Sequence, residues 1–395
     1  MVPPSPVFPV GAPVEPPPTA SAKPSTPTNV PVPQVTEAAV PLHDTLVPLR
    51  RWSRVNGFAA PMRLGSAPSP SYALQSTNGV FVLHTGSHVA QWDGVELRLG
   101  FPPELIDGQP YVHSLDLNKS IQPLLQGESM PAGNSSPIVV IDPGHGGENA
   151  GAKSILGNRY EKEFTLDWAL RLQAILAANN CKAFLTRSND TDLALSNRVA
   201  FAAQHKADIF LSLHFNSAAP NEVEAGLETY CLTPAGMPSS LTRGFQDEIH
   251  ESFPNNGFDA QNLFLALRVH RALLQVNGHH DRGIRRARFP GVLRGQQRPA
   301  ILIEGGYLSN PQEARLIGTQ VYRQKLAEAV AKALLPRWNL AGSLAFVEQT
   351  DGIQRKPIPS AVASQPSNPQ GQPTQSATSP EIQNQGQETP GEAAQ

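Results

Sequence analysis

The sequence has no strong charge of either sign and no long apolar run. Its formal net charge is -2 over 395 residues. It therefore lacks the broad field that would attract nucleic acid or an anionic membrane surface, and we exclude both as partners. Because no apolar run reaches the roughly 18 residues that a transmembrane helix needs, we also predict no membrane span. The first residues show neither the basic stretch nor the uninterrupted apolar stretch of an export signal.

Cysteine is also scarce. The two cysteines, Cys181 and Cys231, lack the spacing of a metal site. We predict that both are buried free thiols rather than a disulfide.

Proline, by contrast, is abundant, with 39 residues. It occurs with Val, Ala, Ser and Thr in residues 1–41 and with Gln, Ser and Gly in residues 346–395. Neither segment can bury enough apolar surface to offset the entropy that ordering would cost. We therefore predict a disordered arm and a disordered tail.

Residues 42–128 contain strand-like runs at 80–83 and 95–99, separated by Gly-containing turns, and are predicted to form a small β-rich domain. This segment resembles the copper amine oxidase N-terminal-like module of some envelope proteins, through Gly86-Ser87, Trp92-Asp93-Gly94, 99–103 and 106–112. It departs from that pattern at His113-Ser114, where the module usually has Pro-Leu-Arg. The resemblance implies either a structural spacer or a wall-binding role.

After a linker over 129–136, strands and helices alternate through residues 137–345, as in an α/β domain. Apolar residues recur at helical spacing over 161–178 and 320–335. Strand candidates lie between and around these helices, at 138–141, 183–186, 209–213, 226–232 and 300–303. The predicted fold is an αβα sandwich with a mixed, mainly parallel sheet.

Three of the apolar runs are followed by His145, His214 and Glu304. In open α/β sheets, ligands bind beyond the carboxyl ends of the strands. We therefore expect these three side chains to meet in one crevice.

The loop at 142–147 is rich in glycine, which permits backbone angles that turn His145 into the crevice. A phosphate cradle is the rival interpretation of such a loop. It is disfavoured because a phosphate loop usually supplies a lysine or a following helix N-terminus, and Lys153 lies outside the motif.

Glu161 begins a predicted helix whose buried face carries Phe164, Trp168 and Leu172. That face turns toward the sheet and brings Glu161 with it. Glu163, the competing carboxylate, points to another face. A glutamate at a helix start is usually a cap or a partner of the helix dipole, and only the nearby histidines favour a ligand.

Two histidines and a carboxylate are typical of an open zinc site with a water in the fourth position. Such a water titrates near neutrality and attacks a carbonyl that the cation polarises. Glu304 is then the candidate general base for that water.

Five motifs in this order resemble the zinc-dependent N-acetylmuramoyl-L-alanine amidases, which are peptidoglycan hydrolases: residues 138–147 (IVVIDPGHGG), Glu161-Lys162, Leu185-Thr186-Arg187, 212–216 (SLHFN) and 303–310 (IEGGYLSN). The resemblance covers about residues 137–335. It implies that His145, Glu161 and His214 bind Zn²⁺ and that Glu304 is the catalytic glutamate. The bond that it implies is the amide between N-acetylmuramic acid and the L-Ala of the stem peptide.

Two positions beside the implied catalytic residues depart from the family pattern. Phe215 stands where Ala is common, and Gly305 stands where Thr is common. Neither belongs to the implied catalytic set, so we expect activity to survive. Gly226 and Glu228 follow the family and are predicted to shape the sheet and the pocket.

Six arginines precede the Glu304 strand, and most are predicted to form a solvated face: Arg282, Arg285, Arg286, Arg288, Arg294 and Arg298. Because arginine binds carboxylates bidentately, and stem peptides carry carboxylates, we predict substrate contacts by Arg282 and Arg294, together with Asn216. His279 and His280 are adjacent in a polar loop, so their side chains diverge and we do not assign them as ligands.

Residues 233–262 form a long connection with a short helix predicted at 241–252. Long loops in compact domains tend to be lids or flaps. Regulated members of the family carry a blocking helix in a comparable region, so an occluding role is one interpretation of this segment.

Two other functions remain open. A zinc exopeptidase would need no muramyl group, and a silent wall-binding protein would keep the fold without a general base. The predicted substrate, peptidoglycan, lies outside the cytoplasmic membrane. We therefore expect a periplasmic or cell-wall location, a sequence start that is truncated or misassigned, and an activator or envelope protein as a further partner.

Overall fold

The computed structural model describes residues 46–65, 69–127, 137–244, 246–276, 278 and 280–335. The predicted arm, linker and tail lie outside the described residues, as does His279. Within the described ranges, no helix combines the length and the apolar character needed to cross a bilayer. Cys181 and Cys231 are buried free thiols, as predicted.

The described N-terminal part is rich in β-structure, as predicted. Its strands are β1 (Leu46–Pro48), β2 (Met62–Leu64), β3 (Ser71–Ser76), β4 (Gly79–His84), β5 (Val89–Trp92), β6 (Val95–Arg98), β7 (Glu104–Ile106) and β8 (Gln109–His113). Its helices are α1 (Leu49–Val55), α2 (Ser114–Asp116) and α3 (Gln122–Gln126), with a π-helical turn at Leu117–Ile121.

Strands and helices alternate in the remainder of the chain. The strands are β9 (Ile138–Pro143), β10 (Lys182–Leu185), β11 (Ile209–Asn216), β12 (Leu227–Leu232), β13 (Asp281–Ala287) and β14 (Ala300–Tyr307). The helices are α4 (Glu161–Ala178), α5 (Leu195–Gln204), α6 (Asp259–Leu274), α7 (Gly291–Arg294), α8 (Pro311–Ile317) and α9 (Gln320–Leu334), with a 3₁₀ turn at Pro254–Phe258.

One sheet of eleven strands runs in the order β10-β9-β11-β14-β12-β13-β6-β5-β4-β3-β2. The first four strands are parallel, β12 is antiparallel to β14, and β13 is parallel to β12. The strands from β6 to β2 form an antiparallel meander. The prediction of a mixed, mainly parallel sheet is confirmed for the strands that follow residue 137.

Helices cover both faces of these strands because apolar side chains of a buried strand point alternately to either side. On one face, Ile141 and Leu211 belong to a core that includes Trp168 of α4 and Leu326 of α9. On the other face, Phe210 and other strand residues pack with side chains of α5 and α7. The predicted αβα layering is therefore confirmed.

The β-rich segment extends this sheet. Its strand β6 pairs in parallel with β13 through Leu97 and Ile284. The Glu96 backbone N–H also donates to Asp281 Oδ2 at 2.9 Å. The sequence predicts two domains, whereas the structure joins their strands in one sheet. The domain boundaries themselves stay predictions.

The prediction of a helix at 241–252 is wrong for the described residues, which form turns and irregular backbone. Arg243 and Gly244 both have positive φ, 48° and 77°, which a right-handed helix does not accommodate. Asp247 also accepts hydrogen bonds from the backbone and hydroxyl of Ser239, which favours a loop over a helix.

The prediction of a largely solvated arginine face is wrong as well. Arg286, Arg288 and Arg298 are buried. Arg286 donates to the Lys119 carbonyl at 2.8 Å, and Arg288 donates to the Pro234 carbonyl at the same distance. Buried carbonyls outside the strand ladders need hydrogen-bond donors, and the guanidinium groups supply them.

Candidate metal centre and catalytic glutamate

The loop after β9 turns His145 toward the sheet end, as predicted. His145 has φ 62°, and the next two residues, Gly146 and Gly147, have φ 131° and 60°. Left-handed backbone is unfavourable for a histidine, so the surrounding structure must hold it. A Cβ added at Gly144 would lie 2.3 Å from Cε1 of His214, so this glycine lets the His214 ring approach the loop.

Two buried arginines hold this loop by its carbonyl groups. Arg187 Nη2 donates to the Gly144 carbonyl at 2.7 Å. Arg198 Nη2 donates to the His145 carbonyl at 2.8 Å, and its Nη1 forms an ion pair with buried Asp142 at 2.8 Å. In the sequence, Arg187 belongs to the Leu185-Thr186-Arg187 motif without an assigned role, and Arg198 belongs to none of the five motifs. A charged residue on the sheet-facing side of α5 was the available signal.

Glu161 lies at the first turn of α4 and is only 4% exposed. Its Oε1 lies 2.9 Å from His214 Nδ1 and accepts the Phe215 backbone N–H at 3.0 Å. Its Oε2 lies 3.1 Å from His145 Nε2 and accepts the Ala152 backbone N–H at 2.9 Å. The structure thus brings the three predicted ligands together, with both histidines facing the Glu161 carboxylate.

The electrostatics of this cluster suit a cation. Burial acts to raise the pKa of Glu161, but hydrogen bonds from His145 and His214 hold it well below its usual range. Burial acts to lower the pKa of His145, but the hydrogen bond and the charge of Glu161 raise it above its ordinary value. The carboxylate is therefore ionised and faces two imidazoles.

These residues fit a metal ion. One ligand atom from each of His145, Glu161 and His214 lies within 4.8 Å of the others. A nitrogen–nitrogen–oxygen set suits zinc, whose bonds to these atoms are about 2 Å long. Asn149 Oδ1 lies 2.8 Å from His145 Nδ1, an outer contact that leaves Nε2 to face Glu161. Glu163 instead binds Arg159 and the Tyr160 backbone, away from the cluster.

Glu304 lies on β14 next to this cluster, in register with His214 on β11 and with Glu228 on β12. It is 4% exposed. Among the described residues its Oε2 finds no hydrogen-bond partner. Burial, together with the negative charge of Glu161, raises its pKa well above the ordinary value. A buried carboxylate with a raised pKa is suited to exchanging a proton with a substrate.

The three predicted substrate contacts lie in different places. Asn216 is buried and donates from Nδ2 to Glu228 Oε2 at 3.0 Å. Arg282 Nε donates to the other oxygen of Glu228 at 2.7 Å. Arg294 lies on α7, where its guanidinium stands 5.5 Å from the centre of the Phe253 ring. The first two therefore adjoin the Glu304 strand, and all three roles stay predictions.

Arg243 is a residue near the site that the sequence analysis missed. Its Nη2 lies 3.6 Å from Glu304 Oε1 and also donates to Asn216 Oδ1. Its place in the long connection at 233–262 was the only signal, and nothing in the local pattern there indicates which residue faces the sheet.

Comparison with known proteins identifies the family that the chain resembles. A family model described as N-acetylmuramoyl-L-alanine amidase matches residues 139–335. AmiA of Escherichia coli is 31% identical over 233 residues, which are 53% of this chain and 80% of that protein. The germination-specific amidase of Bacillus subtilis is 29% identical over 215 residues, covering 51% of this chain and 79% of that protein.

Among solved structures, the catalytic domain of CwlV from Bacillus (Paenibacillus) polymyxa var. colistinus is 32% identical, with a TM-score of 0.42, and the match covers 50% of this chain and 96% of that one. The family is shown by the sequence matches, which include all four of His145, Glu161, His214 and Glu304 within the matched residues. The chain therefore belongs to the N-acetylmuramoyl-L-alanine amidase family and is an amidase.

Proposed function

We propose that this amidase is zinc-dependent and hydrolyses the amide between N-acetylmuramic acid and L-Ala in peptidoglycan. The observation that carries the proposal is the cluster of His145, Glu161 and His214, with ligand atoms within 4.8 Å of one another, beside a buried glutamate on the next strand. Peptidoglycan, through its stem peptide and its glycan, is the substrate that family membership supports.

The metal site uses residues from three elements. His145 comes from the loop after β9, Glu161 from the start of α4, and His214 from β11. When bound, zinc supplies a Lewis acid that polarises the amide carbonyl and makes a water molecule acidic near neutral pH. Arg187 and Arg198 hold the His145 loop by its carbonyls, so the imidazole position does not depend on the metal alone.

Glu304 is proposed as the general base. It accepts a proton from the attacking water as the new carbon–oxygen bond forms. It then gives that proton to the amine of L-Ala as the carbon–nitrogen bond breaks. The Oε2 atom suits this role because it is buried and has no hydrogen-bond partner among the described residues.

The location follows from the substrate. Peptidoglycan lies outside the cytoplasmic membrane, so we place the protein in the periplasm or the cell wall. An activator or another envelope protein is a candidate partner there.

The experiment is mass spectrometry of the soluble products released from intact peptidoglycan. Free stem peptides that begin with L-Ala, released with zinc and not after chelation, support the proposal. Cuts within the peptide would instead indicate a zinc peptidase. The matched control is Glu304→Gln, which keeps the metal ligands and should abolish the release.

A further inference from the structure

The segment between β12 and the 3₁₀ turn is anchored at its base by Arg288, a buried arginine that directly follows β13. Arg288 Nη2 donates to the carbonyls of Pro234 and Met237, both at 2.8 Å. Its Nη1 donates to Asp247 Oδ1 at 2.6 Å. One side chain therefore ties both ends of the loop at 234–247 together. We call this segment the Arg243 loop.

The β-rich segment also packs against this loop. Met237 is fully buried. A Cβ added at Gly100 would lie 2.3 Å from Cγ of Met237, so the absence of a side chain there makes room for the methionine. Ser240 also exchanges hydrogen bonds with the backbone of Arg286, at 2.8 to 3.0 Å. The loop is thus held against β13 and the residue that follows it through residues 234–240.

Arg243 lies at the turn of this loop, and its side chain extends toward the sheet. The guanidinium carbon lies 4.9 Å from the centre of the Phe289 ring and 5.7 Å from that of Tyr230. Stacking on aromatic faces favours a guanidinium and fixes its plane. The side chain is nevertheless 41% exposed, so solvent reaches Arg243 beside the buried Glu304.

A purely structural ion pair with Glu304 does not account for this arrangement. The Arg243 Nη2 to Glu304 Oε1 distance is 3.6 Å, longer than the roughly 2.8 Å of a charge-assisted hydrogen bond. Glu304 Oε2 stays without a partner among the described residues. The arginine therefore leaves the glutamate available for chemistry and keeps donors of its own for a ligand.

The charge around Glu304 indicates what that ligand is. Glu161, Glu228 and Glu304 are all buried carboxylates at this end of the sheet. Arg282 and Arg285 are already paired with Glu228, at 2.7 Å and 3.4 Å. An anionic group of the substrate would be repelled by the carboxylates and attracted to the exposed guanidinium of Arg243, which recognises carboxylates well.

We propose that Arg243 binds a free carboxylate of the stem peptide beside the scissile amide and makes the enzyme prefer carboxylate over carboxamide forms. This inference rests on the proposed function. It assigns to Arg243 the contact that the sequence analysis predicted for Arg282 and Arg294. The anchored loop holds the guanidinium in place before substrate binds, which lowers the entropy cost of the contact.

The test uses two N-acetylmuramoyl-L-Ala-D-Glu substrates whose D-Glu γ-carboxyl is blocked as an amide, one with its α-carboxyl free and one with that carboxyl amidated as well. Wild type should cleave the free form with a kcat/KM about 10- to 100-fold higher, the range expected for a charge-assisted hydrogen bond. Arg243→Gln should lose that preference, because kcat/KM should fall more for the free form than for the amidated form, mainly through a higher KM. Arg243→Lys should retain part of the preference for the free form.

Controls separate this inference from the proposed function and from misfolding. Arg51→Gln removes the same charge on the exposed side of α1 and should behave as wild type. Arg243→Gln should bind zinc and unfold at the same temperature as wild type.

Equal losses on both substrates would mean that Arg243 only positions Glu304, and a gain on both would mean that it occludes the site. Either result would overturn the inference. A wild type that cleaves neither substrate nor intact peptidoglycan would overturn the proposed function as well.

Discussion

Phe215 fills the space that a side chain at residue 305 would occupy. A Cβ added at Gly305 would lie 2.8 Å from Cε1 of Phe215 and 2.9 Å from Cζ3 of Trp168. The Phe215 ring also packs against Trp168, with centroids 5.4 Å apart. The two departures from the family pattern are therefore complementary, since a larger residue on β11 is matched by a smaller one on β14.

This relationship predicts strong coupling between the two positions. Gly305→Thr should destabilise the fold by about 1–3 kcal/mol through overpacking. Phe215→Ala should cost about 3–5 kcal/mol by opening a cavity. The double variant should be clearly more stable than the sum of the two single losses predicts, because the threonine fills the cavity that the missing phenylalanine ring leaves. Denaturant unfolding of the four proteins measures the coupling energy.

A matched control uses Phe81, a buried phenylalanine in the β-rich segment. Phe81→Ala and Gly305→Thr share no contact, so their effects should add. Additive behaviour of the Phe215 and Gly305 pair would contradict the complementary packing.

Metal content should depend on the three ligands and not on Glu304. His145→Ala and His214→Ala should each remove most of the bound zinc, because two remaining ligands hold the ion weakly. Glu304→Gln should keep about one zinc per chain and still lose activity. Elemental analysis after dialysis checks the content. Addition of zinc should raise the melting temperature of wild type and of Glu304→Gln, but not of the histidine variants.

The ion pair beneath the His145 loop should stabilise the fold as a unit. Arg198→Met leaves Asp142 buried without its cation, which should cost about 3–5 kcal/mol. Adding Asp142→Asn removes the stranded charge and should recover part of that loss. Because Arg198 also holds the His145 carbonyl, zinc affinity should stay weakened in both variants, as measured by competition with a chelator. Wild-type zinc affinity in the double variant would contradict the positioning role.

Asp116 predicts a pH-dependent stability in the β-rich segment. Burial raises its pKa from 3.8 to about 6, despite backbone hydrogen bonds from Gly100 and Phe101. The folded state therefore binds more protons than the unfolded state between these values, so this contribution makes stability fall as pH rises from about 4 to about 6. Asp116→Asn should remove about 3 kcal/mol of that pH dependence. Denaturation curves from pH 4 to pH 7 check it, and an unchanged slope would exclude Asp116 as the cause.

The sequence by itself indicated the sheet strands and the residues of the candidate metal centre. Apolar runs at 138–141, 209–213 and 300–303 are local patterns, and each is followed within four residues by His145, His214 or Glu304. The helix that begins at Glu161 has a buried face set by its own periodicity. Because parallel strands bring their carboxyl ends to one edge, adjacency in the chain was enough to predict adjacency in space.

Only the tertiary structure decided which arginine faces Glu304 and how the β-rich segment joins the sheet. Arg243 reaches the site because Arg288 and Gly100, distant in sequence, fix the course of its loop. Arg286, Arg288 and Arg298 are buried and donate to carbonyls of distant segments. Contacts of this kind depend on long-range packing and carry no periodic signal in the chain. Local patterns therefore predicted the candidate ligands and Glu304, and the packing of distant segments determined which side chains surround them.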